Sequence, residues 1–177
     1  LTMSLKYHPT VVFFDKDRGA EIAIRALGGN YRCLKRGQPT GFNPFQLEPN
    51  ETNLRFQEVL VGSLVPRPLT PAENTELNRA IRAVSRMPMH LRRLSIVRQQ
   101  IQNTSEDGVS AHLAKWCADG GGQLAWVLDN PTDTINLQDG RIFGFDDTDF
   151  MEDEEVLAPV TLYLLHLTES LLDGRRF

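Results

Sequence analysis

The chain has 177 residues, 41% of them hydrophobic, and a formal net charge of −4. That length and apolar content support one ordinary packed core and exclude a disordered chain. The acidic balance argues against a free-standing nucleic-acid binder, which needs a concentrated basic face, and no apolar run reaches the ~20 residues of a membrane helix.

In chain order, Leu1 to Tyr7 reads as the last turns of a helix, with Leu1 and Leu5 on one face and Pro9 beyond. The first residue is Leu rather than Met, and no signal peptide precedes the first strand, so the chain reads as processed or excised. Val11-Val-Phe-Phe14 is a run of β-branched and aromatic residues that leads into Asp15-Lys-Asp-Arg18 and Gly19. Such a run predicts a central strand of a parallel sheet, and ligands of α/β proteins meet the carboxyl ends of strands. Ala20 to Leu27 carries Ile22, Ala23, Ala26 and Leu27 at helical spacing, closed by Gly28 and Gly29. Tyr31 to Leu34 predicts a second strand, and the loop from Gly37 to Phe45 holds Phe42 and Phe45, which must pack somewhere.

From about Asn53 to Gly120 the pattern is helical. Thr70-Pro-Ala-Glu73 is a capping box with proline at the first helical position. Leu77, Ile81 and Val84 form one stripe, and Leu91, Leu94, Val97 and Ile101 form a second, with Arg92, Arg93 and Arg98 outside it. Val109 to Cys117 predicts a third helix, ending at Gly120-Gly121-Gly122. The expected organisation is an α/β framework at 1–49 and 121–177 interrupted by an all-helical insertion at 50–120. The framework resumes with Leu124 to Leu128, a turn at Asp129 to Asp133, and Arg141 to Phe145 running into Asp146 and Asp147. A last helix from Glu154 to Leu172 presents Val156, Val160, Tyr163, Leu164, Leu167 and Leu171, with Gly174 as its stop and Arg175 to Phe177 as the start of a strand.

Several clusters could carry chemistry. Asp15-x-Asp17 after an apolar strand resembles the nucleophile motif of haloacid-dehalogenase-like phosphatases, where one carboxylate attacks phosphorus and both help hold Mg2+. Gly19 stands where that family has Thr or Val, and capping of the next helix accounts equally for both acids. Phe143 to Asp149 imitates a Walker B strand delivering an acid to Mg2+, while Asp149, Glu152 and Asp153 also serve as N-terminal acids of the last helix. The glycine triplet at 120–122 reads as a helix stop rather than a phosphate cradle. His8, His90, His112 and His166 lack zinc-ligand spacing, so no metal site is expected. Cys33 and Cys117 are too few for a disulfide framework and read as reduced thiols of a cytosolic protein.

Taken together, Thr10 to Ile22, Arg25 to Gly29, Gly37 to Gln46, Leu113 to Trp116, Leu128 to Asn130, Ile142 to Asp146 and Tyr163 to His166 resemble, in order and spacing, the motor domain of the CagE/TrbE family. These are the VirB-four class ATPases of type IV secretion and conjugation. The resemblance covers nearly the whole chain and displaces the phosphatase reading. It implies a partial RecA-like P-loop sheet with an inserted helical subdomain, ATP and Mg2+ in the complete protein, and a homo-oligomer, hexameric in the parent. It further implies a cytoplasmic position at the inner face of the bacterial inner membrane, inner-membrane secretion components as partners, and transferred DNA or protein as substrate.

No G-x-x-x-x-G-K-[ST] occurs in the sequence. Leu1 to Tyr7 resembles the end of the helix after that loop in the family, and Asp173 to Phe177 resembles the approach to Walker B. The expectation is therefore a segment between the two Walker motifs, inactive alone and binding no cofactor. Within it the resemblance assigns Asp17 and Glu21 to catalysis, and places Asp15, Arg18 and Asp146 near the nucleotide. The alternative function is a nucleotide-free interaction module of a secretion system.

Overall fold

The computed structural model describes residues 10–103, 105–137 and 140–171; the expected helix end at 1–7, the glycine stop at 174 and the strand start at 175–177 lie outside them. Three parallel strands, β1 (Val11–Asp15), β2 (Asn30–Cys33) and β3 (Ile142–Asp146), form a sheet in the order β1-β3-β2. The register pairs Asp15 and Cys33 with Asp146, so all three strands end at one level. The middle of this sheet is β3, not the 11–15 run expected there, and Phe13 and Phe14 each remain 38% exposed. Local composition reports that a strand is apolar on both faces, but not which neighbours it will have.

Alternation along β3 separates the two faces. Phe143 and Phe145 are buried in the main core, whereas Gly144 faces α1 (Glu21–Ala26) and the small cluster of Ala20, Ile24 and Tyr31. A side chain at Gly144 would stand 2.5 Å from Tyr31 Cδ2 and 2.6 Å from Ile24 Cδ1. Glycine here lets the Tyr31 ring lie across the strand.

Between β2 and β3 the regular elements are helical: α2 (Glu51–Ser63), α3 (Pro71–Ser85), α4 (Leu94–Gln99), α5 (Val109–Leu113) and α6 (Ala125–Leu128). The capping box is formed: Glu73 N donates to Thr70 Oγ1 at 3.3 Å and Thr70 N donates to Glu73 Oε2 at 2.8 Å. Leu77, Ile81 and Val84 are buried, as are Leu94, Val97 and Ile101; Leu91 departs from its stripe and is exposed in a 3-10 turn. The third helix is shorter than its apolar pattern, giving way to a 3-10 turn at Ala114–Trp116 and to extended Cys117. Leu124 to Leu128 joins the helices rather than the sheet, because its backbone turns after Gly122 and its Val127 and Leu128 enter the same core.

The final helix, α7 (Glu154–Ser170), buries Val156, Val160, Tyr163, Leu164 and Leu167. One continuous core joins Phe42 and Phe45 of the loop after β2, the helices, the inner face of β3 and α7. Entry to and exit from the helical stretch are clasped together. Thr40 Oγ1 donates to Val127 O at 2.6 Å, Asn43 Nδ2 to Asn130 O at 2.8 Å, and Asn130 Nδ2 to Phe42 O at 3.0 Å.

Candidate functional site

The carboxyl ends of β1 and β3 bring Asp15, Asp17, Arg18, Asp146 and Asp147 to one edge of the sheet. Asp15 is buried; its Oδ2 accepts from Tyr31 Oη at 2.5 Å and from Ala20 N at 2.9 Å. Burial opposes ionisation of this carboxyl, but the Tyr31 hydroxyl and the amides of Ala20, Lys16 and Gly19 together hold it below the usual range. Burial, followed by the Asp15 carboxylate, raises the Tyr31 phenol, so it stays a donor. Asp15 therefore fixes the turn before α1 through the amide of the N-cap residue Ala20, and α1 itself has no side-chain cap, contrary to the capping reading of these carboxylates.

The turn itself is strained. Asp17 and Arg18 both have φ of 57°, the left-handed region that costs a residue with a Cβ. Asp17 N donates to Thr148 Oγ1 at 2.7 Å, and the Thr148 hydroxyl donates to Asp146 Oδ1, which also accepts from Thr148 N at 3.2 Å. The Asp17 carboxylate is exposed and has no partner among the described residues. Glu21 instead accepts from Arg18 Nε at 2.7 Å and from Arg25 Nε at 2.9 Å, and these two guanidinium groups, Arg25 first, lower its pKa. Burial, with Asp146 and Asp15 adding like charge, raises the Asp147 carboxyl above the usual range.

A groove of about 300 Å3 opens beside this turn, lined by Asp17, Arg18, Cys33, Lys35, Asp146 and Thr148. It offers carboxylates and cations at its rim. The glycine triplet presents carbonyls. Gly121 takes φ of 67° to end a 3-10 turn, and a Cβ at Gly122 would stand 2.4 Å from Ala114 O and 2.5 Å from Lys115 O, so carbonyls face that space. Among the described residues no group of three or more His, Cys, Asp or Glu is placed to hold a metal ion. No described helix is long and apolar enough to cross a membrane.

The chain is 46% identical, over 94% of its length, to the type IV secretion system protein virB4 of Brucella abortus. It belongs to the VirB4/PtlC type IV secretion family. Identity is 45% over 95% of the chain to PtlC of Bordetella pertussis and 42% over 97% to virB4 of Bartonella henselae. The chain spans about a fifth of these VirB4/PtlC relatives, 21% of the Brucella protein and 22% of the other two. No protein-family model matches it. The solved structure of VirB4 from Thermoanaerobacter pseudethanolicus superposes on 99% of the chain and 74% of that structure with a TM-score of 0.70 at 19% identity, which shows a shared α/β fold.

In this VirB4-family chain the sheet edge brings together all five residues singled out from sequence: Asp15 and Asp146 at paired strand ends, Asp17 and Arg18 in the turn, and Glu21 one turn into α1. Two participants had no local signal. Tyr31 reaches Asp15 from β2 across Gly144, and Thr148 reaches back to Asp17 across 131 residues. The Gly144 position inside an apolar strand was the one cue to a close approach.

Proposed function

We propose that the chain is the part of a type IV secretion ATPase motor that lies between its two nucleotide-binding motifs. The observation that carries this reading is the 46% identity to virB4 along nearly the whole chain, and the carboxylates at the paired ends of β1 and β3 agree with it. The phosphate cradle and the Mg2+ acid belong, on this reading, to other parts of the longer protein. The motor is a homo-oligomer at the inner face of the bacterial inner membrane, works with inner-membrane secretion components, and energises transfer of DNA or protein and pilus assembly. The helical stretch 50–120 is its insertion into a RecA-like framework.

Within the motor, Asp17 and Glu21 are the carboxylates on which turnover depends, with Asp15, Arg18 and Asp146 shaping the same edge. Asp17 is the stronger of the two, because among the described residues its carboxylate has no partner while Glu21 is held by two guanidinium groups. The test is steady-state ATP hydrolysis by the complete protein carrying Asp17→Asn or Glu21→Gln. Turnover is expected to fall about tenfold or more with ATP affinity nearly unchanged, the signature of a group acting mainly in the transition state. Normal turnover with a lowered melting point would reduce these acids to structural caps, and absence of ATP hydrolysis by the complete unsubstituted protein would favour a nucleotide-free docking module.

A further inference from the structure

We infer that Thr148 is a positioning residue that holds the Asp17–Arg18 turn in its left-handed conformation, and thereby fixes where the Asp17 carboxylate stands. This rests on the proposed role of Asp17, but the latch itself is visible without it. Two consecutive residues with side chains, both at φ of 57°, do not persist unless their surroundings over-determine them. The surroundings here are few. Asp17 and Arg18 are exposed, and among the described residues the Arg18 side chain hydrogen-bonds only to Glu21, three residues on at the start of α1. Among the described residues, the hydrogen bond that ties the turn's strained residues to a distant part of the fold is Asp17 N to Thr148 Oγ1, at 2.7 Å.

Thr148 is well placed to supply it. Its hydroxyl has a single proton, which goes to Asp146 Oδ1, so its lone pairs face the Asp17 amide. Asp146 is buried and further fixed by Thr148 N at 3.2 Å, which orients the hydroxyl from both ends. A backbone bond, Asp147 N to Asp15 O at 3.3 Å, runs alongside. The turn after β1 is thus gripped by the turn after β3. The Thr148 hydroxyl is the side-chain link that couples the end of β3 directly to the Asp17 amide.

The experiment is amide hydrogen exchange, read by mass spectrometry on the complete protein, with ATP turnover measured on the same samples. Thr148→Val keeps the shape and removes the hydroxyl; Thr148→Ser keeps the hydroxyl. Thr148→Val is expected to speed exchange of the Asp17 amide about tenfold, the cost of one well-oriented hydrogen bond, with exchange of the β3 and α7 amides unchanged. Thr148→Ser should restore slow exchange. Turnover should fall with Val and recover with Ser, at little change in KM. If Val is not accommodated, as faster exchange throughout β3 would reveal, Thr148→Ala gives the same comparison.

Unchanged exchange at Asp17 in the Val and Ala variants overturns the latch, whatever turnover does. Faster exchange with normal turnover upholds the latch and overturns the role of Asp17 in the motor.

Discussion

Asp129 offers the sharpest test of how the helical stretch is held together. Its side chain has no exposed surface, and each carboxylate oxygen accepts two donors. Oδ1 takes Arg93 Nε at 3.1 Å and Ser95 N at 3.0 Å; Oδ2 takes Ala118 N at 2.7 Å and Arg93 Nη2 at 3.3 Å. An asparagine there preserves the shape, but neither amide orientation solves the problem, since its NH2 must face two N–H donors whichever way it points. Two charge-assisted bonds are lost at about 1.5–3 kcal/mol each, and Arg93 is left without its counter-charge. Asp129→Asn should therefore destabilise the chain by about 4 kcal/mol, lowering the melting temperature by roughly 10 °C for a chain of this size. Asp119→Asn is the control. It removes a longer pair with Arg98, at 3.3 Å and with a quarter of each side chain exposed, and should cost about 1 kcal/mol at most. Equal melting points for the two variants would show that the Asp129 network does not organise this region.

Glu73 gives a pH-dependent test. Arg67, and next the Thr70 amide, hold its pKa down at about 2 against a usual 4.5, so the unfolded chain binds the proton first as pH falls. Its stabilisation is complete above about pH 5 and vanishes toward pH 2; Glu73→Gln should cost about 2 kcal/mol at pH 7 and little at pH 2 in denaturant titrations, and Thr70→Ala about 1 kcal/mol through the lost cap. Gly144→Ala should displace the Tyr31 ring, break its bond to Asp15, and cost about 3 kcal/mol by thermal melt, whereas a fully stable variant would mean that the ring has another place to go. The 177-residue chain alone should show no saturable binding of Mg2+-ATP by calorimetry; a micromolar dissociation constant would sink the view that its phosphate cradle lies elsewhere.

What the sequence discloses is what neighbours in the chain decide. The strand before Asp15, the capping box at Thr70 and the stripe Leu77, Ile81, Val84 depend on contacts within about a helical turn or on simple alternation, and all three stand in the structure. Arg18 and Arg25, at i−3 and i+4 from Glu21, were equally local, and that spacing already foreshadows their hold on it. What remained hidden is set by partners far along the chain. Arg93 lies outside its apolar stripe by pattern, yet turns inward because Asp129, 36 residues later, is there to receive it. The middle place of β3 and the helical path of 125–128 are likewise choices of the whole core rather than of five residues.

The clasp at Thr40, Asn43 and Asn130 has a consequence for how such a chain can change over evolutionary time. Its bonds join residues 87 positions apart, so the path leaves for the helices and returns almost at the point of departure. Geometrically the whole excursion could be cut out and its ends rejoined by a short linker, with strand register untouched, and lengthening it would add little closure entropy, about 0.6 kcal/mol per doubling. The shared core imposes the opposite constraint. Excision would strip cover from Phe42, Phe143 and Phe145 and leave an apolar floor open to water. Helices can be lengthened, shortened or exchanged in this stretch only while some surface of the same shape continues to roof the sheet.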